Sequence, residues 1–283
     1  MNSRFGVGLQ IKQYVPKSIK RILQYSYDAW FDLSDFVLGR GHSMVPARRH
    51  TFIGRGDFIA DGSAFLETLV QFTGLTPGGQ VLDIGSGQGR MALPLTGFLS
   101  AEGRYTGLEI VKSGVDWCEQ AYVAHENFTF HHADVFNSYY NPGGQYQSSD
   151  YPFPFPGDEF DVIFLASVFT HMLPADIAHY LKEISRCLKP GGHCLASFFL
   201  LGEDSRAAIS CGESAVAFRF PVDEHSLSAT EIDPENAIAI DEGFIRSAYE
   251  KNGLKIEGEV HRGTWATNLP ALSLQDMVIA CAR

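Results

Sequence analysis

The sequence predicts an α/β fold: a mostly parallel β-sheet held between layers of helices as a three-layer sandwich, preceded by an N-terminal helical extension. Three observations predict it. From residue 80 onward, short apolar runs alternate with amphipathic segments, the order that builds strand, helix, strand units. The first run, Val81-Leu82-Asp83-Ile84, ends in the turn Gly85-Ser86-Gly87-Gln88-Gly89 and opens into a helix-like segment. At 283 residues, 45% hydrophobic and 19% charged, the chain has the length and composition for one large domain with an appendage.

The elements follow in order. Residues 9–38 carry Ile11, Tyr14, Val15, Ile19, Ile22, Leu23, Tyr27, Trp30 and Phe31 near helical spacing, which predicts one or two helices broken near Pro16. Residues 39–57 are rich in Gly and Arg and read as a loop. An amphipathic helix over 58–72 stops at Gly74 and Pro77. Strands are expected at 81–84, 105–110, 128–131, 160–165 and 193–200, with helices at 91–99, 115–123 and 175–188. A polar, Pro-rich loop fills 137–158, and 202–240 reads as acidic and irregular. A helix at 241–252 precedes two late strands, 254–261 and 275–282, expected to form an antiparallel hairpin at one sheet edge. The domain reading is a cap over 1–57 and a main domain over 58–283, with insertions at 137–158 and 202–240.

Composition narrows the function. The net charge of −11 argues against nucleic acid as the main partner, because phosphate binding needs a basic face. Residues 1–60 nevertheless hold nine Lys/Arg against four Asp, a local excess of +5. No apolar run approaches the roughly 20 residues of a membrane span, and Met1-Asn2-Ser3-Arg4-Phe5-Gly6 lacks a signal core. Cysteines at 118, 187, 194, 211 and 281 form no C-x-x-C pair, so neither a disulfide framework nor a structural zinc site is expected, and a cytoplasmic setting fits best.

The glycine turn brings backbone N–H groups and a helix start to the carboxyl end of the first strand, where ligands of open α/β sheets bind. A dinucleotide fingerprint would read G-x-G-x-x-G, yet Arg90 stands where the third glycine belongs. Asp83 precedes the first glycine by two residues. A carboxylate there suits a cationic amine better than a pyrophosphate. S-adenosylmethionine carries an ammonium, a sulfonium and a ribose, and no phosphate.

At these residues the chain resembles the class I, Rossmann-like, S-adenosylmethionine-dependent methyltransferases. Residues 81–90 look like their motif I. Tyr105-Thr106-Gly107-Leu108-Glu109-Ile110 resembles motif II, His132-Ala133-Asp134-Val135 motif III, and residues 160–167 motif IV. Leu188-Lys189-Pro190-Gly191-Gly192 is similar to the turn before strand five, and Pro152-Phe153-Pro154-Phe155-Pro156 to a run often found before strand four. The resemblance implies seven strands in the order 3-2-1-4-5-7-6, with strand seven antiparallel. It implies S-adenosylmethionine as cofactor, held by Asp83, Gly85, Ser86, Gly87, Arg90, Glu109, Ile110, Asp134, Val135, Ala166 and Ser167. In that scheme Glu109 takes the ribose hydroxyls, Ile110 lies on the adenine, and Asp134 with the Val135 N–H reads the adenine amino edge.

Methyl transfer to a hydroxyl also needs a proton acceptor. Ser167-Val168-Phe169-Thr170-His171 follows strand four, and His171 is the candidate general base, since imidazole accepts protons near neutral pH. No metal ligands are assigned; a divalent ion at Glu203, Asp204 and His225 is the weaker alternative. His131 and His132 point to opposite faces of their strand. Glu213, Asp223, Glu224, Glu231, Asp233 and Glu235 read as a solvated lid. Trp117 and Trp265 read as packing residues, Trp265 with a lesser claim to touch substrate. The segment 44–58, with Arg48, Arg49 and Arg55, is expected to lid the site, Arg48 or Arg49 meeting an anionic group. The expected activity is O-methylation of a small-molecule acceptor, anionic or sugar-containing, bound by the two insertions. The alternatives are N- or C-methylation, a nicotinamide-dependent oxidoreductase, which Asp83 and Arg90 weaken, and a non-catalytic binding module, which Asp83, Gly85, Gly87, Glu109 and Asp134 weaken.

Overall fold

The alternation that begins at residue 80 becomes a seven-stranded sheet. A computed structural model describes residues 25–34, 38, 41–54, 56–267 and 270–283. It forms two units, Met1–Gly56 and Asp57–Arg283. In the first, helix α1 (25–34) carries Asp32, whose carboxylate accepts the backbone N–H groups of Arg48 and Arg49 at 2.8 and 3.4 Å and the Arg49 Nη1 at 3.1 Å. The Arg48 guanidinium lies over the Phe31 ring, 5.2 Å from its centroid. The expected apolar positions from Ile11 to Leu23, and Arg55, lie outside the described residues.

In the second unit the strands are β1 (Gln80–Ile84), β2 (Arg104–Glu109), β3 (Phe128–His132), β4 (Phe160–Leu165), β5 (Leu188–Phe198), β6 (Leu200–Leu201), β7 (Phe220–Asp223), β8 (Ser226–Ser228), β9 (Ile238–Asp241), β10 (Leu254–Ile256) and β11 (Asp276–Ala282). The large sheet runs β10-β11-β5-β4-β1-β2-β3, parallel except at β11, which is antiparallel to both neighbours. This is the expected order 3-2-1-4-5-7-6. Helices α2 (Phe58–Thr73), α3 (Ala92–Phe98) and α4 (Lys112–Ala121) serve one face. Helices α5 (Pro174–Cys187) and α7 (Glu242–Lys251) serve the other, with α6 (Glu203–Cys211) beyond β6.

Local chemistry sets the boundaries. Asp57 caps α2 by accepting the Ile59 and Ala60 N–H groups, and Gly74 ends it in the left-handed region at φ 65°. Asp241 caps α7 through the Phe244 N–H. Pro174 starts α5 at a position where its missing N–H costs no hydrogen bond. Leu82, Ile84, Leu108, Ile163 and Leu165 fill the layer under α5 and α7. Val162, Phe164 and Tyr105, equally buried, belong to the opposite face, where Phe65 of α2 meets Phe164 with ring centroids 5.2 Å apart.

Two expectations change. The 202–240 segment is ordered: α6 is followed by a small sheet, β6-β9-β8-β7. It closes over Phe199, Phe218 and Trp265, whose rings meet at 5.1–5.4 Å. Trp265 is 1% exposed and donates its indole N–H to Asp276, so it is a core residue and not a substrate contact. The 137–158 insertion is also divided. Tyr151, Phe153 and Phe155 are buried in the main core, so its Pro-rich half is scaffold; most of residues 138–150 stay at the surface.

Candidate methyl-donor and acceptor site

The glycine turn sits at the carboxyl end of β1, an inner strand between β4 and β2. Gly85, Gly87 and Gly89 all have positive φ (78°, 56° and 81°), so the turn needs residues without a Cβ. A Cβ on Gly85 would strike Val168, and one on Gly89 would come within 2.7 Å of the Tyr122 hydroxyl. The Gly85 N–H donates to the Leu108 carbonyl at 2.7 Å, which ties the turn to β2. Tyr122 closes the far side by donating to the Gly89 carbonyl at 2.7 Å.

Two buried carboxylates face this turn. Asp83 is 1% exposed and accepts a 2.6 Å hydrogen bond from the Tyr105 hydroxyl. Burial, opposed by that hydrogen bond and aided by the Glu109 charge, pushes its carboxyl up to about 8. Glu109 is 5% exposed; its Oε2 accepts the Gly87 N–H at 2.6 Å and its Oε1 the Val111 N–H at 2.8 Å. Burial raises its pKa as well, against those backbone hydrogen bonds. Both acids are thus held by neutral donors, an arrangement that favours a cation. The Ser86 hydroxyl, buried over Gly107, has no hydrogen-bond partner among the described residues. The residues fit S-adenosylmethionine: an ammonium and a sulfonium offset Asp83 and Glu109. Each Glu109 oxygen keeps a second lone pair for a ribose hydroxyl.

The other expected cofactor residues separate into two sets. Asp134 accepts from the Asn141 amide at 3.3 Å, and the Val135 N–H donates to the Ala133 carbonyl at 2.7 Å. Ile110 packs on the main core. Ala166 is half-buried, and Ser167 adopts φ 65°, unusual for a residue with a side chain. Its N–H donates to Ser197 Oγ at 2.7 Å and its hydroxyl to Gln275 Oε1 at 3.0 Å. Arg90 turns instead toward α2: its guanidinium lies 3.8 Å from Asp61 and over the Phe58 ring. Burial lowers its pKa, partly opposed by Asp61.

His171 follows, by three positions, Val168, whose side chain packs against Gly85 of the turn. Its Nδ1 is 2.9 Å from the Glu235 carbonyl. A carbonyl only accepts, so Nδ1 carries a hydrogen, and in the neutral imidazole Nε2 carries the lone pair. Tyr140 meets the imidazole edge-on at 5.6 Å; burial, with smaller contributions from the Tyr139 and Glu109 charges, raises its pKa. The insertions meet here: Ser138 donates its N–H to Glu235 and its hydroxyl to Asp233. Sequence patterns gave no signal for Tyr140 or for this contact, which joins residues almost a hundred positions apart. Glu203 and Asp204 open α6 while His225 stacks on Phe244, so the structure does not gather them into a ligand set.

The sheet order is that of the class I methyltransferases, and residues 82–196 match the methyltransferase domain family. The chain is an S-adenosylmethionine-dependent methyltransferase of this type. It is similar to the 27-O-demethylrifamycin SV methyltransferase of Amycolatopsis mediterranei, 24% identical over 251 residues, covering 82% of this chain and 80% of that one. A crystal structure from Pyrococcus horikoshii has the same fold, with TM-score 0.56 and 15% identity over 83% of this chain and 95% of that one. So does a methyltransferase of Methanosarcina mazei, with TM-score 0.52 and 20% identity over 76% and 96%. Among the described residues no helix is long and apolar enough to cross a membrane.

Proposed function

We propose that the chain methylates a hydroxyl of a small molecule, with His171 as the base that takes the hydroxyl proton. The observation that carries this reading is the tautomer: Glu235 holds Nδ1–H, so Nε2 is left as a proton acceptor. The likeness to an enzyme named as an O-methyltransferase supports the acceptor atom. Bound S-adenosylmethionine supplies an electrophilic methyl group. The chain's own residues bind and orient. Asp83 and Glu109 hold the cationic end and the ribose, and residues 137–146 with 233–236 border the acceptor. Within that border the cofactor would supply its methyl group to the acceptor oxygen, and Nε2 of His171 would take the proton that oxygen loses. Alignment of the reacting atoms does most of the work, because the thioether leaves readily.

The test is His171→Ala. Turnover is expected to fall by about 10²–10⁴-fold, the usual contribution of a positioned acid or base. Affinity for S-adenosylmethionine, measured separately by calorimetry, should change far less, because the side-chain partners of His171 are the Glu235 carbonyl and the Tyr140 ring. Wild-type turnover in the variant removes His171 from the mechanism.

A further inference from the structure

We propose that His193, Glu257 and Cys281 form a zinc-type metal site across β5, β11 and the end of β10, away from the methyl-transfer site. His193 and Cys281 are partners across the antiparallel β5–β11 pair, so their side chains leave the sheet on one face. Lys255 of β10 pairs with Cys281, and Glu257 lies two residues further along the same face. The Glu257 N–H donates to the Ile279 carbonyl at 2.9 Å, which keeps this extension of β10 beside β11. Three strands of the sheet edge therefore deliver an imidazole, a carboxylate and a thiol to one point.

The geometry suits a metal. One donor atom from each side chain lies within 4.8 Å of the other two. His193 Nε2 and Glu257 Oε2 are 3.2 Å apart. Tetrahedral zinc, with bonds of about 2.0–2.1 Å to nitrogen and oxygen, sets such a pair about 3.3 Å apart. Sulfur with imidazole selects a borderline-soft ion over magnesium or calcium. Lys255 is the neighbouring cation; it is exposed, and its long stem lets the ammonium stay in water. Three protein ligands leave a fourth position for water. His193 pairs with Val162 near the start of β4, toward the end of the sheet opposite the glycine turn, so the ion acts as a clip on β10 and β11.

The experiment uses the full chain, reduced and freed of metal by a chelator, and titrated with Co²⁺ and then Zn²⁺. One equivalent of Co²⁺ should bind with a thiolate-to-metal charge-transfer absorption, and Zn²⁺ should displace it. The absorption should vanish in Cys281→Ser and persist in Cys211→Ser, which removes an exposed thiol elsewhere. In His193→Ala, Co²⁺ affinity should weaken by about tenfold or more, since even outer partners of metal ligands cost about 10–100-fold. Zn²⁺ should raise the thermal midpoint of the wild type and leave Cys281→Ser unmoved. If Cys281→Ser does not fold, Glu257→Gln at its exposed position replaces it, and should keep the absorption at reduced affinity. A missing charge-transfer absorption, its survival in Cys281→Ser, or unchanged affinity in both His193→Ala and Glu257→Gln overturns the proposal and leaves an ordinary His193–Glu257 ion pair.

Discussion

Asp83 shows how one residue decides between ligands that a glycine turn could hold. Its carboxylate is buried and accepts a hydrogen bond from the Tyr105 hydroxyl, which is neutral. Such a group resists ionisation until a cation arrives. A pyrophosphate would add negative charge to a place already strained by two acids, whereas an ammonium or sulfonium relieves it. Replacing Asp83 with Asn keeps the shape and the Tyr105 contact and removes the charge. The variant is expected to bind S-adenosylmethionine about ten- to a hundredfold more weakly, the range for losing a charged hydrogen-bond partner. Calorimetric titration at pH 8 checks this, and equal affinities would show that Asp83 is only a packing residue. Its neighbour Glu109 carries a second duty, since the Gly87 N–H bond shapes the turn itself.

Elements show what the pattern of residues can and cannot reveal. The seven strands were legible because each is an apolar run bounded by glycine or polar residues, and the sheet order followed from the motif series. The small sheet was not legible. β7, Phe220-Pro221-Val222-Asp223, and β8, Ser226-Leu227-Ser228, are too short and too polar to show alternation; Leu227 of β8 packs on the Phe218 and Trp265 cluster, and β7 is a strand by pairing with β8. The His193, Glu257 and Cys281 cluster was equally hidden, because strand register and not spacing joins it. The Pro-rich run before β4 looked like a pocket wall and is instead a buried buttress. Glu183, 6% exposed, accepts the Phe153 N–H at 2.9 Å. Arg186 donates to the Phe155 and Phe153 carbonyls at 2.8 and 3.1 Å and pairs with Glu183. Arg186→Met strands these carbonyls and leaves Glu183 without its cation. It should lower stability by about 2–4 kcal/mol. Hydrogen exchange should quicken at 151–156 while donor affinity is kept. Protection at 151–156 equal to wild type would show that the aromatic packing suffices without the clamp.

At the scale of the whole molecule, the donor site puts a destabilising charge in the centre of the fold. Burial raises the pKa values of Asp83, Glu109 and Asp276 in the folded chain. Asp83 is the largest resolved case, at about 8 against an ordinary 3.8. Between those two values the folded state holds a proton that the unfolded state has released. Stability from this group is therefore complete below about pH 4 and is lost progressively as the pH rises through about 8. Glu183 and Glu242 shift downward beside their arginines and act in the opposite sense, so the bare profile mixes both signs. The comparison with Asp83→Asn isolates one of them. Without cofactor, urea unfolding should show the wild type losing stability relative to the variant between pH 5 and pH 8. Saturating S-adenosylmethionine should reverse that order at pH 8, because the ligand binds only the folded chain and supplies the missing cation. Parallel pH profiles for the two proteins would mean that Asp83 titrates as an exposed acid, and the cation-seeking character of the donor site would fall with it.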